Sequence, residues 1–187
     1  MDKVSVIIPT YNRSDFIDRA INSVLVQTYP NIEVIVIDDN GDGTPARKVM
    51  IEKMKKYEKY PNVRYLKNKN NMGGALARNV GIQGSSGQYI TFLDDDDEYL
   101  PNKVEVQYSE MKKQGWEVSI MDGATYNLQG ELLSKKKQRI SQSPNQEELM
   151  RAHLMYHLTN TNTFMFKSDS LKSIGGFVYI IAGQEYM

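Results

Sequence analysis

Three things are missing from this sequence of 187 residues: cysteine, an excess charge of either sign and a long hydrophobic run. Without cysteine the chain has no disulfide framework, no thiolate metal site and no cysteine nucleophile, which suits a reducing compartment. Because 23 basic residues balance 23 acidic residues, the composition argues against a nucleic-acid binder that works by neutralising phosphates. No run reaches the ~18 apolar residues of a membrane span, and no signal peptide is evident. We therefore expect a cytoplasmic protein with no transmembrane segment and no nucleic-acid partner.

The first half of the chain alternates β-branched segments with amphipathic ones, which is typical of βαβ units around a mostly parallel sheet. The strands predicted there are 4–8, 32–37, 63–66 and 89–93, and the predicted helices are 14–27, 45–58, 71–82 and one from 101. The less regular second half has predicted strands at 117–121, 123–126, 131–134 and 163–166 and predicted helices at 143–156, with a Ser143–Gln146 capping box, and 168–174. No linker is evident, so we expect one α/β domain over residues 1–187.

Five consecutive acids, Asp94 to Glu98, follow the apolar strand predicted at 89–93. Neighbouring carboxylates about 7 Å apart repel each other by about 2.4 kcal/mol at an effective dielectric of about 20. A divalent cation such as Mg²⁺ or Mn²⁺ would relieve this repulsion, since both prefer hard oxygen ligands. A solvated acidic loop is the alternative, because water and salt would screen the same charges.

A second pair of acids, Asp38 and Asp39, ends the strand predicted at 32–37. The carboxyl ends of parallel strands meet at one edge of a sheet, so both acid groups are expected in one crevice. There Asp39 could accept a hydrogen bond from a base or a ribose. The following Asp42–Gly43 pair is interpreted as an ordinary turn.

The order of several motifs resembles the family 2 glycosyltransferases. The matching segments are 4–13, 37–39, 77–81, 92–97, 174–177 and 183–186. The resemblance implies a GT-A fold, that is, a Rossmann-like α/β domain with a mixed, mostly parallel sheet flanked by helices. It also implies a nucleotide-sugar donor and a divalent Mn or Mg cofactor. By this resemblance residues 1–100 bind the nucleotide, residues 101–187 serve the sugar and the acceptor, and the chain is expected to be C-terminally truncated.

The same resemblance assigns roles to individual residues. The first nucleotide-binding turn would contain Pro9, Thr10, Tyr11 and Arg13, with Tyr11 packed on the base and the hydroxyl of an exposed Thr10 donating to the ribose. Further nucleotide contacts would come from Asp39, which reads the uracil ring, and from Arg78. Asp96 would bind the metal, with Asp97 as the alternative, while Asp94 and Asp95 hold ribose or metal-bound water. Gly175 and Gly176 would line the sugar and acceptor end, and Glu185 would be the catalytic base.

The predicted reaction is therefore an inverting, metal-dependent transfer of sugar, most simply from a UDP-sugar, to a hydroxyl of a saccharide or lipid-linked acceptor. Such transfers build polysaccharides and glycoconjugates, in the cytoplasm or at the inner face of the membrane. One rival is a sugar-nucleotide pyrophosphorylase, although its glycine-rich basic turn is replaced here by residues 9–12. A non-catalytic nucleotide-binding module is the other rival.

Two further clusters have mainly ordinary interpretations. His153 and His157 are spaced like a zinc pair on a helix, but no Glu follows His153 as the metalloprotease pattern requires, so we interpret them as surface histidines. The basic run from Lys135 to Arg139 is interpreted as solvated, with peripheral contact to an anionic lipid surface or an acceptor as the alternative.

Overall fold

The computed structural model describes residues 1–127, 129–137, 144–156 and 160–178, with the backbone alone at 146, 153, 154 and 156. The larger sheet has the strand order β3-β2-β1-β4-β8-β5, and β6 and β7 form a separate antiparallel pair. The strands are β1 Val4–Thr10, β2 Ile32–Asp38, β3 Val63–Lys67, β4 Tyr89–Phe92, β5 Val118–Ile120, β6 Gly123–Tyr126, β7 Leu132–Lys136 and β8 Phe164–Lys167. The first four strands are parallel, and β8 runs antiparallel to β4 and β5. The predicted α/β class and the mostly parallel sheet are thus confirmed.

Within the described residues, six α-helices flank or follow the strands. They are α1 Ile17–Leu25, α2 Pro45–Met54, α3 Gly74–Gly84, α4 Lys103–Gln114, α5 Gln146–Tyr156 and α6 Ser168–Ser173, with short 3₁₀ turns at Lys55–Tyr57 and Thr161–Thr163. In the part of the chain that the structure describes, no helix combines the length and the apolar character that a membrane crossing requires.

The helices lie on both faces of the larger sheet. On one face, apolar side chains of α1, α2 and α4 pack with alternate residues of β1 and β2, such as Val6 and Val34. On the other face, α3 and α6 pack against Ile7 and Ile35, which point the opposite way. Helix α3 comes so close to β1 that a Cβ built on Gly81 would lie 2.4 Å from Ile7 Cγ2. This packing fixes the carboxyl ends of β1, β2 and β4 side by side.

The main differences from the sequence predictions are at helix ends. Helix α1 begins at Ile17 rather than at 14, and α3 begins at Gly74 rather than at 71. Asn145 and Glu148 form a capping box at the start of α5, in which each donates its backbone N–H to the side chain of the other. Ser143 and the side chain of Gln146, which make up the predicted box, lie outside the described residues.

Candidate active site

The acids that follow β4 form a turn at the carboxyl edge of the larger sheet, and we call residues Asp94–Glu98 the acid loop. The sheet hydrogen bonds continue up to its base, where Leu93 N donates to Ile7 O at 3.0 Å. Within the loop, Asp97 N donates to Asp94 O at 3.1 Å. Asn162 holds both ends: its Oδ1 accepts from Asp94 N at 2.7 Å, and its Nδ2 donates to the Asp97 carboxylate. The 3₁₀ turn before β8 therefore fixes the conformation of the acid loop.

Three arginines neutralise the acid loop in part. Arg13 bridges two neighbouring carboxylates, with Nη1 at 2.6 Å from Asp96 Oδ2 and Nη2 at 3.0 Å from Asp95 Oδ1. Arg78, on α3, lies with Nη2 at 2.6 Å from Asp94 Oδ1.

The third arginine is Arg19, on α1. It donates to the backbone oxygen of Asp96 at 3.1 Å and lies 3.4 Å from a carboxylate oxygen of Glu98. Two of the predicted nucleotide-binding residues, Arg13 and Arg78, are thus brought to the acid loop, whereas Arg19 is a contact that the sequence analysis missed.

Asp95 is the buried member of the acid loop, with only 1% of its surface exposed. Its Oδ2 has no hydrogen-bond partner among the described residues. The pKa of the Asp95 carboxyl is raised, first because burial desolvates it and further because Asp96 and Asp94 repel its charge, while Thr10 and Arg13 act in the opposite direction. A nearby cation would stabilise this under-compensated carboxylate.

The donor chemistry of the acid loop therefore fits a hard divalent cation. No three acidic or histidine side chains converge into a complete metal cage within the described ranges. Mg²⁺ usually needs only one or two carboxylates and takes its remaining ligands from substrate phosphates and water. Asp96, whose side chain is 42% exposed, is accessible for such a shared ion.

The carboxylate of Asp39 is buried at the end of β2 and is held by the chain that precedes α3. Its Oδ1 accepts from Asn68 Nδ2 at 2.7 Å, and its Oδ2 accepts from Gly73 N at 2.9 Å. Met72 N donates to both oxygens, at 3.0 and 3.1 Å. Gly73 has a φ of 82°, a left-handed value that glycine adopts without strain. These bonds explain why α3 starts later than predicted, and they fix the orientation of the Asp39 carboxylate.

Asp38 points into the protein instead of into the crevice, so its predicted functional pairing with Asp39 is wrong. Its carboxylate lies 2.8 Å from Arg47 Nε and accepts from Asn40 N at 2.9 Å and from the Tyr65 hydroxyl. Arg47 is itself only 3% exposed. The reason for the difference is the alternation of side chains along a strand, which sends consecutive residues to opposite sides. The Asp42–Gly43 turn is as predicted, with Asp42 Oδ1 3.0 Å from Arg47 Nη1.

The end of β1 and the turn that follows it carry the remaining predicted nucleotide residues: Pro9 and Thr10 lie in the strand, and Tyr11 lies in the turn. Tyr11 is 54% exposed, whereas Thr10 is buried and Pro9 is half-buried, so the expectation of an exposed Thr10 hydroxyl is wrong. Asn12 has a left-handed φ of 56°, and its N–H donates to Asn40 Oδ1 at 2.7 Å. This contact ties the turn after β1 to the end of β2.

Gly175 and Gly176 end α6 with left-handed φ values of 84° and 77°. Phe177 follows as a partly buried core residue, 5.1 Å from the ring of Phe92. Asn79 on α3 exchanges two hydrogen bonds with the Phe177 backbone, at 2.7 and 2.8 Å. The glycines thus lie beside the helix that carries Arg78, and a Cβ on Gly176 would clash with Asn79 Oδ1.

Some predicted residues lie outside the described part of the chain. These are Glu185, His157 and Arg139, and the side chain of His153. Lys135, Lys136 and Lys137 are exposed, and the first two belong to β7 rather than to a loop.

Several residues of the site were missed by the sequence analysis: Arg19, Asn40, Arg47, Asn68 and Asn162. The Asn160–Asn162 segment before a predicted strand was a polar signal that could have been followed. Arg19 and Asn68 have no local signal, because their partners Asp96 and Asp39 lie far away along the chain.

Comparison with known proteins links this geometry to one family. The family model described as glycosyl transferase family 2 matches residues 5–174. One curated relative is the UDP-Glc:alpha-D-GlcNAc-diphosphoundecaprenol beta-1,3-glucosyltransferase WfgD of Escherichia coli, which is 38% identical over 64% of this chain and 44% of its own length. The chain spans less than half the length of the curated relatives it matches.

Two solved structures share the fold at low sequence identity. TarS 1–349 of S. aureus in complex with UDP has a TM-score of 0.69 at 22% identity, covering 98% of this chain and 53% of that one. The mannosyltransferase PcManGT from Pyrobaculum calidifontis, in complex with GDP-Man and Mn²⁺, has a TM-score of 0.70 at 18% identity. The match covers 99% of this chain and 50% of that one. These similarities show that the fold is GT-A.

Proposed function

The chain belongs to glycosyl transferase family 2, and on this basis we propose that it transfers a sugar from a nucleoside-diphosphate sugar to an acceptor hydroxyl. The observation that carries the proposal is the meeting of a buried carboxylate (Asp39), an exposed aromatic ring (Tyr11) and the acid loop at one edge of the sheet. This combination supplies contacts for a base, a ribose and a diphosphate in one crevice. We further propose that residues 1–100 bind the donor nucleotide and residues 101–187 serve the sugar and the acceptor.

We propose UDP as the donor nucleotide. The exposed ring of Tyr11 can stack on any base, so it does not select uracil. A carboxylate such as that of Asp39 can accept a hydrogen bond from the N–H of a uracil ring. The UDP complex of TarS and the UDP-Glc donor in the name of WfgD support the choice, whereas the GDP-Man complex of PcManGT supports the alternative base.

The proposed cofactor is Mn²⁺ or Mg²⁺, held by Asp96 together with the donor phosphates. When bound, it would supply positive charge against the diphosphate that leaves. Asp94 and Asp95 would hold the ribose or water of the ion's shell. Arg78, already directed at Asp94, would add a fixed guanidinium near the nucleotide.

The proposed chemistry is an inverting transfer. In it, the Glu185 carboxylate removes the proton from the acceptor hydroxyl, and that oxygen attacks the anomeric carbon on the face opposite to the departing diphosphate. Gly175 and Gly176 would line the sugar and acceptor end of the site. The acceptor is proposed to be a saccharide or a lipid-linked saccharide, with the reaction in the cytoplasm at the inner face of the membrane.

The release of UDP from UDP-sugars and of GDP from GDP-sugars tests this proposal. We expect Mn²⁺-dependent release of UDP that chelation stops. A pyrophosphorylase would instead release sugar phosphate when pyrophosphate is added, and a binding module would release nothing. Either of these last results would reject the transferase proposal.

A further inference from the structure

We infer that Arg13 is a built-in counter-cation of the acid loop, which must release Asp96 when a divalent cation binds and which then binds the donor diphosphate. This inference rests on the proposed function and deepens it. Arg13 would therefore set the affinity of the site for the metal as well as for the nucleotide.

The contacts of Arg13 support the first half of the inference. One guanidinium spans two adjacent carboxylates, with Nη1 2.6 Å from Asp96 Oδ2 and Nη2 3.0 Å from Asp95 Oδ1. Asp96 is the proposed metal ligand, and Mg²⁺ sits about 2.0–2.1 Å from its ligand oxygens. A divalent ion at that distance and the guanidinium would be like charges in direct competition for the same carboxylates. Binding of the ion therefore requires Arg13 to move.

The backbone around Arg13 is fixed, whereas its side chain is free to move. Asn12 adopts a left-handed φ of 56° and donates its N–H to Asn40, which is bonded in turn to the buried Asp38. The side chain of Arg13 is 50% exposed, and each of its contacts within the described residues is to the acid loop. A displaced Arg13 guanidinium would thus move while its backbone stays in place beside Tyr11. In its new position, the planar guanidinium can form two hydrogen bonds to phosphate oxygens.

Arg19 offers a matched control. It has the same charge and the same exposure of 50%, and it also contacts the acid loop, but its contacts are the Asp96 backbone oxygen and Glu98 rather than the carboxylates of Asp95 and Asp96. Its removal changes the net charge near the loop by the same amount without freeing those two carboxylates. A difference between the two variants therefore isolates the direct competition from general electrostatics.

The experiment compares the wild type with Arg13→Gln, Arg13→Lys and Arg19→Gln. Binding of Mn²⁺ alone is followed by electron paramagnetic resonance, and binding of UDP at saturating Mn²⁺ is followed by calorimetry. We expect Arg13→Gln to bind Mn²⁺ about tenfold more tightly, equivalent to about 1.4 kcal/mol, and to bind UDP about tenfold more weakly. The affinities of Arg13→Lys should lie between those of the wild type and Arg13→Gln, because lysine keeps the charge but cannot form two parallel hydrogen bonds. The affinities of Arg19→Gln for Mn²⁺ and for UDP should stay within about threefold of those of the wild type.

The opposite signs of the two changes distinguish this role from a merely structural one, since a disturbed site would lose affinity for both ligands. Unchanged or weaker Mn²⁺ binding by Arg13→Gln, with normal binding by the wild type, would overturn the inference and leave the proposed function standing. If none of the four proteins bound Mn²⁺, with or without UDP, both the inference and the proposed metal dependence would be rejected.

Discussion

Replacement of Asp38 by Asn tests whether the buried Asp38–Arg47 pair, rather than a ligand, explains why an acid is present at the end of β2. The substitution keeps the shape of the side chain and removes its charge. Arg47 would then remain buried with two backbone carbonyls, Asp38 O at 3.1 Å and Asn68 O at 2.7 Å, and with the carboxylate of Asp42, which is 67% exposed.

The size of the effect follows from this burial. Breaking a buried ion pair from one side costs about 3–5 kcal/mol, because the remaining charge has no adequate partner. For a chain of this length, each kcal/mol lowers the unfolding midpoint by about 2–4 °C, so a decrease of about 6–20 °C is expected. The exposed pair formed by Asp42 with the same arginine should contribute about 1 kcal/mol or less.

Urea unfolding and thermal unfolding of the wild type, Asp38→Asn and Asp42→Asn measure these free energies. We expect a large loss for Asp38→Asn and a small loss for Asp42→Asn, with the slope of the urea transition unchanged. The reasoning would be refuted by an Asp38→Asn protein within about 1 kcal/mol of the wild type, or by equal losses in the two variants.

Two other predictions concern catalysis and the buried Lys103. Replacing Glu185 by Gln should lower the rate of sugar transfer by about 10²- to 10⁴-fold and leave the affinity for UDP unchanged, and an unchanged rate would remove Glu185 as the base. Burial lowers the pKa of the Lys103 amine in the folded state. Between that lowered pKa and the unfolded-state value of about 10.4, the unfolded chain binds more protons than the folded chain. The free energy of unfolding therefore rises with pH over this range. Lys103→Met removes this buried amine together with its hydrogen bond to Thr91 Oγ1 at 2.7 Å. The free energy of unfolding of Lys103→Met relative to the wild type should therefore be highest near pH 7 and fall by up to about 1.4 kcal/mol per pH unit as the pH rises towards 10 in urea titrations; a difference that does not vary with pH would contradict this assignment.

Much of the fold was predictable because the signals were local. The runs around Val6, Val34 and Ile90 are apolar over the length of a buried strand, and Thr44 followed by Pro45 marks the start of α2, where Thr44 Oγ1 accepts from Arg47 N at 3.1 Å. The ends of helices were harder to predict. The polar segment before α5 contains several pairs of residues with the spacing of a capping box, and Asn145 with Glu148 is one of them. The spacing alone does not show which pair starts the helix.

The site was predictable only in part, for a physical reason. The acid loop and Asp39 follow strands directly, so their place at the carboxyl edge could be inferred from the order of elements. The orientations of the carboxylates depend on partners far along the chain, such as Asn68 for Asp39 and Asn162 for the acid loop. The fold brings these residues together, and no spacing in the sequence encodes their contacts.

The central claim is that the acid loop binds a divalent cation together with the donor nucleotide. Calorimetry of UDP, with Mn²⁺ and with a chelator, measures this directly in the wild type, in Asp96→Ala and in Asp97→Ala, which removes the alternative metal ligand. The account predicts that Mn²⁺ tightens UDP binding by at least about tenfold, equivalent to about 1.4 kcal/mol, in the wild type and in Asp97→Ala but not in Asp96→Ala. Equal affinities of the wild type for UDP with and without Mn²⁺ would contradict the account.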